Sequence, residues 1–114
     1  MIAVIFEVKA HADKEQEYFD YAEELAPIVQ NAKGLISIER FESRTNNGKV
    51  LSLSFWEDEA SVKAWRNNVM HRQIQQQARA EIFEEYRIRV ADVQRDYTMV
   101  KRDEAPLDSN DAHR

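Results

Sequence analysis

Residues 52–72, S-L-S-F-W-E-D-E-A-S-V-K-A-W-R-N-N-V-M-H-R, hold the side chains best suited to chemistry. The first part alternates as a strand, so Ser52, Ser54 and Trp56 share one face. A bulky ring beside small hydroxyls suits the lining of a cavity better than a close-packed core. A helical stretch then carries Trp65, with His71 six residues later. A histidine at the edge of an apolar pocket can serve as a base poised near neutral pH. The plainer reading of His71 is a helix-cap or hydrogen-bonded histidine. Trp65 is most simply a core residue anchoring its helix, and Trp56 could instead seal an interface. Ser52 and Ser54 could be polar residues tolerated on a partly wet face. Asn68 is a candidate substrate contact, although an Asn67-Asn68 pair more often ends a helix. Arg87 could stabilise a phenolate or be salt-bridged to a partner or to the first helix. Tyr18 and Tyr21 read as packing and surface residues respectively.

Composition removes several other chemistries. The 114-residue chain has no cysteine, which excludes disulfides, thiolate metal sites, iron–sulfur clusters and a cysteine nucleophile. Its two glycines, Gly34 and Gly48, cannot build a phosphate-cradling loop or a dinucleotide fingerprint. His11, His71 and His113 lack metal-ligand spacing, and no serine sits in a G-x-S-x-G setting. A net charge of −5 and a pI near 5.2 leave no basic stripe, so nucleic acid is disfavoured. No apolar run approaches the ~18 residues of a membrane span. The first strand opens at Ile2 and carries Glu7 and Lys9, which predicts no signal peptide. A soluble, cytoplasmic protein is expected, with no membrane partner.

The elements that must position these residues follow from periodicity. Ile2 to Lys9 reads as a strand with Ile2, Val4, Phe6 and Val8 on one face, and Ala3 and Ile5 on the other. From Asp13 to about Lys33, Tyr18, Ala22, Leu25, Val29 and Ala32 recur at helical spacing. Pro27 should kink that helix, and Gly34 should end it. Leu35–Ser43 and Val50–Trp56 read as strands joined by a tight hairpin, because Asn47-Gly48 suits a type I′ turn. Asp58 is a plausible N-cap. Val62, Trp65 and Val69 recur at helical spacing, as do His71, Gln75, Ala78 and Ile82, with a bend at Asn67-Asn68. Tyr86–Tyr97 closes the domain as a strand with an irregularity near Asp92. Residues 1–100 form the domain, and 101–114 are expected to be a polar, mobile tail.

Strand, helix, strand, strand, helix, strand, with right-handed crossovers, is an α+β, ferredoxin-like βαββαβ fold with an antiparallel sheet. Two helices cover one face of such a sheet only. The first and third strands offer apolar residues to both faces, which predicts a homodimer packed sheet against sheet as a dimeric α/β barrel.

The apolar first strand, G-L-I-S-I-E-R-F, F-W-E-D-E-A, A-W…H and the closing R-I-R-V resemble the antibiotic biosynthesis monooxygenase (ABM) family, over roughly residues 1–97. Quinol monooxygenases and haem-degrading monooxygenases are relatives. The resemblance implies a small oxygenase without flavin or metal, taking molecular oxygen and an electron-rich phenol or quinol in an apolar pocket. The substrate would supply the electrons, while the protein desolvates it, favours its anion and positions O2. On that reading Trp65 and His71 are catalytic, and Ser52, Ser54, Trp56, Asn68 and Arg87 contact the substrate. Haem degraders of the family use an Asn on the first strand, a Trp and an iron-ligating His. Trp65 matches the Trp, but the other two positions fall near Phe6 or Glu7 and at Gln75. No cofactor is therefore expected, although His71 could ligate haem from another position. The alternatives are a non-catalytic, stress-associated dimer sequestering a small aromatic or lipid-like molecule, a haem-binding protein and, weakest, an RNA-binding sheet.

Overall fold

The computed structural model describes residues 1–108, with the backbone alone at residues 69 and 70. The Val69 side chain, His113 and the end of the 101–114 tail thus lie outside the described residues. Strand β1 (Ile2–Ala10) leads through a short 3-10 turn (Ala12–Lys14) into helix α1 (Glu15–Gln30). Strands β2 (Leu35–Glu42) and β3 (Lys49–Trp56) follow, then helices α2 (Glu59–Arg66) and α3 (Val69–Glu81), and strand β4 (Phe83–Asp92). The strands form one antiparallel sheet in the order β2-β3-β1-β4. This is the ferredoxin-like arrangement predicted from periodicity, with the second helix in two pieces. Within one chain the sheet is open, with β2 and β4 as its edges, so a barrel is not a property of the single chain.

Register decides which side chains meet. Val4 lies opposite Ser54 and Val90, and Phe6 lies opposite Ser52 and Ile88, on the face beneath the helices. Ile5 with Leu53, Ala3 with Phe55, and Glu7 with Leu51 occupy the back face. There the Glu7 carboxylate bridges Lys49 at 3.2 Å and Arg89 at 3.4 Å, and these two cations hold its pKa down.

The β2–β3 connection differs from the predicted tight hairpin. Gly48 has φ +85°, but among the described residues no non-glycine residue has positive φ, so Asn47 does not form the type I′ turn. Instead Ser43 N–H donates to the Lys49 carbonyl at 2.9 Å, and Ser43 Oγ accepts from Thr45 N and Asn46 N. The loop therefore spans residues 43–48. A two-residue turn would have placed Arg40 opposite Phe55; the longer loop places it opposite Ser52, on the helix side. An odd register change moves the whole strand face.

Two further boundaries move. Strand β4 begins at Phe83 and ends at Asp92, because α3 delivers the chain straight into pairing with β1. The register irregularities fall at Lys9/Ala10 and Leu35/Ser37, and Asp92 itself pairs with Ile2. Helix α1 runs through Pro27 to Gln30, and Asn31 Nδ2 donates to the Pro27 carbonyl at 2.7 Å. Beyond β4, Asp96 N–H donates to Glu104 Oε2 at 2.8 Å, and Ala105 is buried.

The core is split into two clusters. One contains Val8, Ala10, Tyr18, Val50, Ala78 and Ile82. The other contains Ile2, Val29, Trp56 and Val62, with Trp65 packed against it. A lock beside the second cluster joins the α1–β2 turn to α2. Gly34 has φ +86°, its carbonyl accepts from Glu57 N at 2.8 Å, and a Cβ there would overlap Ser61 Oγ. Ser61 is itself held, since its N–H and Oγ–H both donate to Asp58 Oδ1 at 2.8 Å. Gly34→Ala should lose about 2–4 kcal/mol through left-handed strain and overpacking. Urea denaturation should show a lower midpoint at unchanged slope, partly restored by adding Ser61→Gly. An unshifted midpoint would remove this lock from the account.

Candidate functional site

Between the two clusters lies a cavity of about 320 Å³, roofed by α1 and floored by β1 and β3. Tyr21 and Leu25 look down on Val4, Phe6, Ser52 and Ser54, while Trp65, His71 and Gln75 form a side wall. The size is at the small end of ligand pockets, and the walls are mainly apolar, with few polar groups.

The side wall arises from the break between α2 and α3. Asn68 is extended (ψ 126°) and caps α3, its side chain accepting from His71 N at 3.1 Å. His71 therefore sits in the first turn of α3, next to the last turn of α2. There the Trp65 carbonyl accepts from Asn68 N–H at 3.0 Å and still has a lone pair facing α3. The Trp65 carbonyl accepts from His71 Nδ1 at 3.1 Å. A carbonyl cannot donate, so Nδ1 carries the proton and Nε2 keeps its lone pair. The imidazole stacks on the Trp65 ring at 4.2 Å and 13°, and Trp65 stacks on Trp56 at 6.2 Å and 28°. Trp56 Nε1 donates to Ser54 Oγ at 2.9 Å, which satisfies both polar groups in the buried floor. Burial pushes the His71 pKa down, and the Trp65 carbonyl opposes that only partly. His71 is thus a neutral, oriented base at the wall of an apolar cavity.

Tyr18 closes the opposite end. Burial raises its hydroxyl pKa, and the Arg40 guanidinium beside it pulls the other way.

The structure brings Ser52, Ser54, Trp56, Trp65 and His71 to this one cavity. Trp56 is 1% exposed within a single chain, under α2, so it does not seal a sheet-to-sheet interface. Asn68 does not line the cavity; it positions His71 through the cap. Arg87 is opposite Glu7 on the back face, away from the cavity. Tyr21, expected at the surface, lines the roof, and Arg40 lines the cavity beside Ser52. The signal for Arg40 was the β2–β3 register, which the Asn-Gly pair obscured.

Phe6 and Gln75, where the haem-degrading relatives would carry Asn and His, both line the cavity. A phenyl ring offers no hydrogen bond and a neutral amide is a poor iron ligand. The residues present do not fit that haem-degrading set. Among the described residues no group of His, Cys, Asp and Glu could hold a metal ion. No helix among them is long and apolar enough to cross a membrane.

The family model for antibiotic biosynthesis monooxygenases matches residues 1–77. The chain belongs to this family. It is 38% identical over 93 residues to a jasmonate monooxygenase of Pyricularia oryzae, a match covering 82% of this chain and 43% of that protein. The chain thus spans less than half of that relative. An uncharacterized Bacillus subtilis protein, YqjZ, is 26% identical over 93 residues, covering 82% of this chain and 79% of that protein. In fold, a Deinococcus radiodurans structure provisionally assigned to the family superposes with TM-score 0.77 at 11% identity, covering 86% of this chain and 97% of that one. Rv0793 of Mycobacterium tuberculosis superposes with TM-score 0.76 at 12% identity, covering 85% and 98%. These two likenesses concern the fold alone.

His71 should titrate below the usual histidine value of about 6.5, with a proton NMR pattern of the Nδ1–H tautomer. The unfolded chain then binds more protons, so stability is complete above about pH 6.5. It falls as pH drops through that value and levels off beneath the folded pKa. His71→Gln should remove this part of the pH dependence. A His71 titration at or above 6.5 in the folded protein, the ordinary histidine value, would contradict the buried, neutral ring.

Proposed function

We propose that the protein is a cofactor-independent monooxygenase acting on an aromatic substrate of phenol or quinol type, with His71 as the base. The observation that carries this reading is the His71 ring itself. It is pinned by its Nδ1–H to the Trp65 carbonyl, stacked on Trp65, neutral, and set in an apolar wall. Family membership supports oxygen chemistry, and the cavity supports a desolvated substrate.

In this mechanism Nε2 takes the phenolic proton, which the apolar surroundings would otherwise hold on oxygen. The phenolate gives one electron to O2, and the resulting radical pair joins through a new carbon–oxygen bond. The proton on His71 returns to the peroxide, giving a hydroperoxide on a carbon that still bears hydrogen. The oxygen–oxygen bond then breaks as that hydrogen leaves with the departing hydroxyl as water. One phenol and one O2 become one quinone and one water. Trp65 holds the base in plane and, with Trp56, offers a flat surface for an aromatic ring.

A second copy of the chain is the proposed partner. On the back face, away from α1, α2 and α3, Ile5, Leu51, Leu53 and Phe55 are half-buried and Phe41 is 43% exposed. Joining two such faces would withdraw this patch from water.

Oxygen uptake by the purified protein, without added flavin or metal, tests the activity on a panel of phenols and quinols. Jasmonate, for which the Pyricularia relative is named, belongs in the same panel. His71→Ala should lower kcat/KM by about 10²–10⁴-fold, as removal of a general base does. For the wild type, kcat/KM should fall at acid pH only below the usual histidine range, because the base form is the active one. Uptake that is indifferent to His71→Ala, or saturable binding of the whole panel with no uptake, would refute oxidation at this site. Sedimentation should find a dimer that Leu53→Glu dissociates without unfolding. A wild-type monomer at micromolar concentration would exclude that partner.

A further inference from the structure

We infer that Arg40 is an anion-binding residue of the cavity, and that the substrate carries a carboxylate at the end remote from the atoms that react. This rests on the reading of the cavity as the substrate site.

The cavity is apolar along most of its length, yet the Arg40 guanidinium lines it from β2. Arg40 is fixed opposite Ser52 by the β2–β3 ladder, and it lies beside the hydroxyl of the buried Tyr18. Among the described residues no carboxylate comes within ion-pair distance of it. Its sequence neighbour Glu39 also lines the cavity, but it is opposite Leu53 and forms no ion pair with Arg40. The ion pairs around Glu7 lie on the opposite face of the sheet. The guanidinium stands on the inward face of a strand and donates to the Tyr18 hydroxyl, which leaves others of its five N–H donors for a carboxylate. Ser52 and Tyr18 supply neighbouring hydroxyls.

A second guanidinium, Arg66, also lines the cavity. It stands in the last turn of α2, where a cation complements the helix dipole, and it is close to the Trp65–His71 end. Arg40 is held instead by its hydrogen bond to Tyr18, itself a cavity-lining residue, at the other end. The separation also fits an elongated ligand. Ser52 marks the Arg40 end and Trp56 the Trp65–His71 end, and at ~3.3 Å per residue they are about 13 Å apart. A ligand meeting both ends has a carboxylate, an apolar middle and an oxidisable ring at the far end. An arylalkanoic acid with a phenolic hydroxyl has that form.

The test is equilibrium binding to the full chain, followed by quenching of tryptophan fluorescence, since Trp65 lines the cavity. The probes are a hydroxyphenylpropionate and its methyl ester. The wild type should bind the acid roughly tenfold more tightly than the ester, the scale of one accessible charge-assisted pair. Added salt should narrow that ratio. Arg40→Gln should abolish the preference with little change in ester affinity. Arg40→Lys should retain part of it, and Arg66→Gln should leave it intact. Equal binding of acid and ester by the wild type, or failure of the acid to bind, would overturn the inference. So would a preference that survives Arg40→Gln or is lost in Arg66→Gln. Oxygen uptake measured on the same samples separates the two readings. An Arg40-dependent preference without uptake keeps the anion site and removes the oxidation, whereas uptake without preference does the reverse.

Discussion

The structure depends on a core divided in two. One apolar cluster forms around Val8, Tyr18 and Ile82, the other around Ile2, Val29 and Trp56, and α1 reaches from one to the other. Anchored at both ends, α1 is held off the middle of the sheet, where Val4 and Phe6 meet small residues on β3 instead of bulky ones. Ser52 and Ser54 are what leave the space. A leucine at either position would fill the gap and fuse the clusters into one core. The cavity is therefore a consequence of where volume is missing from a strand, and the stability comes from the ends.

The break between α2 and α3 converts that space into a site. A continuous helix would give His71 no reason to fold back on the Trp65 carbonyl, which here accepts from Asn68 N–H at 3.0 Å and has a second lone pair to offer. Two asparagines end one helix and cap the next, so the last carbonyls of α2 face the first side chains of α3. The His71 ring satisfies one of them and gains a tryptophan face in the same movement. A local helix-ending signal thus fixes a tautomer and an orientation, and burial of the ring lowers its pKa against the pull of the Trp65 carbonyl. The ring that results is poor at holding a proton and well placed to accept one.

The two faces of the sheet have separate duties. Beneath the helices it carries the cavity floor, with Arg40 and Tyr18 at one end and Trp56 at the other. The back face carries an apolar band beside the Glu7 ion pairs, on the side of the sheet away from α1, α2 and α3. Strand alternation keeps these duties apart, so a residue's parity decides whether it can reach a ligand. Arg40 and Arg87 illustrate the difference: both are strand arginines, and only one faces the cavity.

Much was determined by the sequence itself. Periods of two and 3.6 set the order of elements, the antiparallel sheet and the two-sided character of β1 and β3. The Asp58 cap, the Asn67-Asn68 break and the left-handed Gly34 follow from local backbone chemistry that needs no neighbour. The shared face of Ser52, Ser54 and Trp56 follows from alternation alone. Other features were decided only by tertiary structure. The hairpin loop closes through Ser43 instead of a type I′ turn, and that register puts Arg40 on the cavity side. The roles of Asn68 and Arg87 likewise depended on where the chain packed, one as a cap and one on the far face. The physical reason is that local signals specify what an element is, while the side it turns to a neighbour depends on pairing between segments distant in the chain. A register change of a single residue, invisible to composition and period, is enough to exchange the two faces.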